Sequence, residues 1–335
     1  MSTPTQDATA GSARPTAGST PPTRARRLRG MAWLMVRQHR FQLYFWAALT
    51  LAGAAWAVYQ RAAALDALRD AGWPGKPVPE IDGTIANRVS ADFDSFGRLL
   101  ASLPLLLGVF LGAPLIAADR EHGTARLVTT QSLSRTHWLL WKLGFALAVA
   151  VATTLPLSLL YGWWWRTVEP FVVGGWLESP VFEATGPVLV ATAVFTTALG
   201  LAVGALTRRS VGAMMTTFFG SAVALAVLSY GEGSLATPRR LVYPFGAARP
   251  AGFDGAVEVD QWISTGSGRL YGWSTCVNDA VPENCRASLG IVNSVWEYFG
   301  RDQMAGMQWA AAGVLLALGA VLLALFLTRT RRGAL

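Results

Sequence analysis

Charge is scarce in this sequence: only 14% of its 335 residues are Asp, Glu, Lys or Arg, where a soluble domain carries roughly a quarter. With 52% hydrophobic residues, that shortage excludes an ordinary solvated globule and points to lipid as the surrounding medium. Catalytic signatures are missing too. There is no G-x-x-x-x-G-K-[ST] phosphate loop; the nearest string, Gly72 to Lys76, has the wrong spacing and is followed by Pro77, so the chain does not bind ATP by that route. The histidines number three, His39, His122 and His137, and they are too scattered to supply the H-E-x-x-H pair of a metalloprotease. No G-x-S-x-G elbow occurs. The chain is therefore read as having no catalytic, cofactor-binding or metal-ligating set.

What is present is apolar sequence in long runs. Six stretches, 41–60, 99–118, 143–165, 184–207, 211–231 and 303–328, each approach or exceed the ~20 residues needed to cross a bilayer. They predict an all-α integral membrane protein of six transmembrane helices. The charges between them set its orientation. Residues 1–40, 119–142, 208–209 and 329–335 together hold sixteen basic and three acidic residues; 61–98, 166–183 and 232–302 hold twelve basic and seventeen acidic. The positive-inside bias then places both termini in the cytoplasm of a cell whose plasma membrane the chain spans. The net charge of +8 follows from topology, so no nucleic-acid partner is needed to explain it.

The flanking segments divide further. Residues 1–23, rich in Thr, Ala, Pro and Ser, read as a disordered cytoplasmic tail. Over 24–40, Leu28, Met31, Ala32, Met35 and Val36 share one helical face and Arg26, Arg29, Arg37 and Arg40 another, which predicts an interfacial amphipathic helix. A plain positive flank of the first span is the competing reading. Residues 61–98, with Pro74, Pro77 and Pro79, read as an exposed and partly irregular loop. The region 232–302 is long enough for an extracellular subdomain, and within it Leu289, Val292, Trp296 and Phe299 suggest a helix over 287–300. Trp163, Trp164 and Trp165 read as an outer aromatic belt. Cys276 and Cys285, the only cysteines, fall in that outer region, where a disulfide can persist; two free thiols remain the alternative.

The span interiors show no charge well inside them, unlike many ion-coupled carriers. They carry Ser and Thr, three prolines (Pro104, Pro114, Pro156), and two GxxxG pairs, Gly108 with Gly112 and Gly200 with Gly204. Such pairs let helices approach closely, within one chain or across a dimer. The energy for any transport must then come from elsewhere.

The loop 119–142 indicates where. Asp119, Arg120, Glu121, His122, Gly123 and Thr124 follow the second span, and Ser132, Leu133, Ser134 and Arg135 lead to Trp138 and Lys142 at the third. This resembles the permeases of the type-2 ATP-binding-cassette (ABC) export family, in which A-x-E-x-E-x-G-T is followed by a P-x-S-R turn and a lysine. Asp119 replaces the first family Glu and Ser132 the usual proline, whereas Glu121, Gly123, Thr124, Arg135 and Lys142 match. The six-span plan, the basic amphipathic helix and the large outer loop extend the resemblance over about residues 25–335. It implies that Asp119, Glu121, Gly123, Thr124, Arg126 and Arg135 contact a cytoplasmic ABC ATPase subunit, which binds ATP and Mg. It also implies a second permease copy or paralogue as dimer partner.

From the residues alone, Gly123 can end a helix and Thr124 or Ser134 can cap a new one, giving a charged elbow; a solvated turn is the plainer alternative. The chain is expected to be the permease of an exporter for a drug, lipid or peptide. The rival from another class is a non-transporting sensor or assembly protein displaying 232–302.

Overall fold

The computed structural model describes residues 31–122, 135–172, 174–178, 180–207 and 209–331. The chain opens with α1 (Met31–Gln38) and α2 (Arg40–Asp70), then α3 (Gly83–Leu107), a π-helical segment (Gly108–Gly112) and α4 (Ala113–Glu121). There follow α5 (Arg135–Val168), the short turns α6 (Gly175–Glu178) and α7 (Val181–Ala184), α8 (Gly186–Leu206) and α9 (Ser210–Gly231). A four-stranded antiparallel sheet comes next: β1 (Arg239–Pro244), β2 (Val257–Thr265), β3 (Leu270–Gly272) and β4 (Ile291–Phe299), in the order β1-β4-β2-β3. Within it lies α10 (Pro282–Leu289), and α11 (Arg301–Arg331) completes the described chain.

Six helical stretches are long and apolar enough to cross a membrane: Arg40–Asp70, Gly83–Glu121, Thr136–Phe171, Gly186–Leu206, Ser210–Ser234 and Arg301–Thr328. α8 stands at the centre. Fourteen of its residues are buried, and it packs against α3, α4, α5, α9 and α11. α2 and α9 lie at the rim, with Phe41, Tyr44, Trp56, Phe219 and Val223 exposed, as suits side chains that meet lipid.

Several sequence expectations are corrected. The interval 61–98 is mostly helix, because α2 runs on through Ala-rich sequence to Asp70 and α3 starts at Gly83. Asp82 caps α3 by accepting the Thr84 N–H at 2.7 Å, a contact that also holds its carboxyl below the usual range. The tail 1–23 and residues 24–30 of the amphipathic segment lie outside the described residues; Met31–Gln38 is helical, a break falls at His39, and Met35 is buried while Val36 is exposed. The segment 287–300 is not a helix. Gly290, at φ 68°, ends α10, and the β-branched and aromatic residues that follow form the central strand β4, paired with β1 and β2. Thus the fold is mostly helical, with a sheet subdomain. Of the three tryptophans only Trp163 is exposed, under the Arg61 guanidinium at 3.6 Å; Trp164 and Trp165 are buried against Phe93.

One ion pair fastens the sheet to α11, and a second joins the start of α11 to the turn after α5. Arg239 donates to both carboxylate oxygens of Asp302, at 3.0 and 2.6 Å, and Arg301 meets Glu169 at 2.6 Å. Within the sheet Cys276 and Cys285 form a disulfide, their Cα atoms 5.8 Å apart, packed with Ile263 and Ile291.

Candidate functional site

Of the residues singled out between the second and third apolar helices, Asp119 and Glu121 lie at the end of the bundle away from the sheet. Gly123, Thr124 and Arg126 lie outside the described residues, and of Arg135 only its place at the start of α5 is described. The two ends of that interval are well defined, and each is tied to a different neighbour.

On the α4 side, Asp119 forms an ion pair with Lys142, which also donates to the Leu115 carbonyl at 2.6 Å. The Lys142 side chain is only 1% exposed and lies over the Trp138 ring at 4.6 Å. Sequence reasoning put Lys142 at the edge of the third span, which starts earlier than expected: α5 begins at Arg135, so Lys142 stands two turns inside an apolar helix. A buried ammonium needs an acid partner, because its desolvation costs several kcal/mol on the order-of-magnitude scale of buried ions. His39 closes this cluster, tilted against Phe145 with ring centroids 5.3 Å apart; burial first, and the Lys142 cation second, lower its pKa.

Two residues further along, Glu121 turns to α9. Its carboxylate accepts the Ser210 N–H at 2.9 Å and the Ser210 hydroxyl at 2.6 Å. A carboxylate at the first turn of a helix satisfies an orphan N–H and complements the helix dipole. Glu121 thus lashes α4 to the start of α9, across the connection that contains Arg209. Asp119 and Glu121, two residues apart and so on nearly opposite faces of α4, bind α5 and α9 respectively, and the chain enters and leaves residues 123–134 at a frame made by three helices.

The frame continues into the bundle through glycines. Gly200 packs against the π-helical segment: an added Cβ would lie 2.3 Å from the Gly108 carbonyl and 2.8 Å from the Ala113 amide. Those two groups are the ends of the i→i+5 bond that defines the segment. A Cβ on Gly204 would lie 2.3 Å from the Ala113 carbonyl, and Cβ atoms on Gly108 and Gly112 would each meet an α8 carbonyl at 2.7 Å. The two GxxxG pairs face one another inside one chain. Pro104 lies just before the π segment, its carbonyl accepting the Thr196 hydroxyl at 2.5 Å, and Pro114 lies just after it. Bulges of this kind mark functional kinks in helices.

Cys276, Asp279 and Cys285 lie close enough to share a metal, but the two sulfurs are bonded to each other and offer no thiolate. Three polar groups passed over in the sequence lie elsewhere in the bundle. Gln308 on α11 donates to the Phe182 and Thr185 carbonyls and to the Thr185 hydroxyl, at 2.9 to 3.3 Å, beside Gly186 with its φ of 61°. Glu183 and Glu232 line a cavity between the helices. A glutamine in an apolar run and an acid just past one are the signals that could have found them.

A family model described as ABC-2 membrane transporter related matches residues 47–230, more than half of the chain. The match runs from the first turns of α2 to the end of α9 and contains the whole frame just described. No curated protein and no solved structure matches the chain.

Proposed function

The chain belongs to the ABC-2 membrane transporter related family, and from that membership we propose that it is the permease subunit of an ATP-driven exporter, working with a separate cytoplasmic ABC ATPase. It is a multi-pass membrane protein and a permease by family. In this reading it lies in the plasma membrane with both termini inside, and the sheet subdomain faces outward. A second copy or a paralogue completes the translocation path, and ATP and Mg bind the partner.

The observation that carries the reading is the double lashing of the end of α4 that leads into residues 123–134. Asp119 to Lys142 and Glu121 to Ser210 join it to α5 and α9. A push on that segment is then delivered to three membrane helices at once, and the glycine-packed π segment passes it to α8.

The test is co-expression with a cassette ATPase encoded alongside, followed by tagged purification and vesicle transport. Arg126→Glu and Gly123→Val are expected to lose the ATPase, or its transport-coupled hydrolysis, at normal membrane yield. Glu121→Gln, which can still accept from Ser210, should keep most of the activity, whereas Glu121→Arg should not. Retention of the ATPase and control-rate transport by Arg126→Glu, Gly123→Val and Glu121→Arg would refute the coupling role.

A further inference from the structure

A cavity of about 160 Å³ opens between α3, α8, α9 and α11, toward the end that carries the sheet. Its walls, including Pro104, Leu189, Leu228 and Leu315, are mostly aliphatic, with the hydroxyl residues Thr192 and Ser229 among them. A dry apolar cavity of roughly 150 Å³ takes up a benzene-sized molecule, so this one has room for about one ring or a short branched chain.

Two carboxylates interrupt the apolar lining: Glu183 from α7 and Glu232 at the C-cap of α9. Among the described residues neither carboxylate forms an ion pair or a hydrogen bond. Burial pushes the Glu183 carboxyl above its ordinary range, the sign of an acid lacking compensation. Glu232 also stands at the negative end of the α9 dipole, where an acid is disfavoured and a cation favoured. Two acidic groups and the negative end of α9 therefore share the rim of an apolar pit. Without a counter-charge a buried acid holds its proton, whereas an ammonium attached to an apolar body meets the apolar walls and favours the ionised carboxylates.

We infer that this cavity binds a lipophilic organic cation, its apolar part among α3, α8 and α11 and its charged nitrogen between Glu183 and Glu232. The site rests on the cavity and its charges. Only the further step, that amphiphilic amines are the transported class, rests on the exporter reading above.

The full-length chain in nanodiscs is titrated calorimetrically with benzyltrimethylammonium, whose charge does not depend on pH, and with its neutral isostere neopentylbenzene. Saturable one-site binding of the cation is expected, with the isostere weaker by about tenfold or more, the scale of a charged contact. Glu183→Gln and Glu232→Gln should each weaken the cation by a similar factor and leave the isostere unchanged. Glu183→Asp, which keeps the charge, should retain cation binding, and Ala311→Leu, which narrows the cavity from α11, should weaken both ligands. No saturable binding, equal affinity for cation and isostere, or undiminished cation binding by the Glu183→Gln/Glu232→Gln double variant would overturn the site. Binding as expected without ATP-driven uptake into inverted vesicles holding the ATPase complex would leave the site standing and overturn the transport step alone.

Discussion

Lys142 shows how one side chain reports on the whole of its end of the bundle. Its Nζ is shared between the Asp119 carboxylate and the Leu115 carbonyl, under a tryptophan ring and out of water. Removing one member of such a pair strands the other, so Lys142→Met should destabilise the purified protein by about 3 kcal/mol, the typical cost of an uncompensated buried charge. Removing both, in Asp119→Leu/Lys142→Met, should restore much of that loss. Thermal unfolding of the single and double variants in detergent decides it, and additive losses would show that the pair is not coupled. The sequence displayed both residues, since the motif that carried the family resemblance includes them. Their mutual contact was hidden because they are separated by 23 positions, and only the early start of α5 turns Lys142 inward. Glu121 was read as part of a charged elbow; its bond to Ser210, from 89 residues away, has no local signature.

At the scale of elements, the packing of α8 on the π-helical segment leaves no room for a side chain. Backbone cannot retreat as a flexible side chain can, so Gly200→Val should cost about 3 kcal/mol or prevent assembly of the bundle. Gly144→Val, a glycine in α5 with nothing within 4 Å of the added Cβ, should be tolerated. Detergent-extracted yield and melting temperature of the two variants separate close packing from a general intolerance of glycine changes. The small-residue spacing was legible in the sequence; that the two motifs would meet each other was not, because GxxxG serves intrachain and dimer contacts equally. β4 was misread for a definable reason. Leu289, Val292, Trp296 and Phe299 do fit a helical period, but Ile291, Val292, Val295, Trp296, Tyr298 and Phe299 form a β-rich run just after a left-handed glycine. A central strand, covered by partners on both edges, need not alternate cleanly. The same subdomain offers another check: Cys276→Ser/Cys285→Ser should lower the stability of the sheet by about 2–3 kcal/mol on the chain-entropy estimate. Alkylation mass shifts that appear only after reduction test the bridge itself, and protease nicking between β3 and α10 should speed up in the variant.

For the whole molecule, the number of spans and their threading follow from two quantities that need no tertiary information, apolar run length and the distribution of Lys and Arg. The helices confirm the first, with each predicted run inside or nearly inside an observed apolar helix. The second makes a separate prediction. The structure gathers the connection at 71–82, the turns α6 and α7, and the sheet at one end, through Trp73 against Phe171, Glu169 with Arg301 and Gly175 beside Val257. Asp119, Glu121, Lys142 and Ser210 mark the other end. If the basic excess around the latter is cytoplasmic, cysteines introduced on the two ends must answer differently to a membrane-impermeant maleimide in intact cells. Ser267→Cys, in the exposed turn between β2 and β3, should react at once, and Gly123→Cys only after permeabilisation. The native cysteines do not interfere while they remain bonded to each other. Labelling of Gly123→Cys from outside would invert the orientation, place the 123–134 segment beyond the reach of any cytoplasmic ATPase, and remove the ground for the coupling role at a stroke.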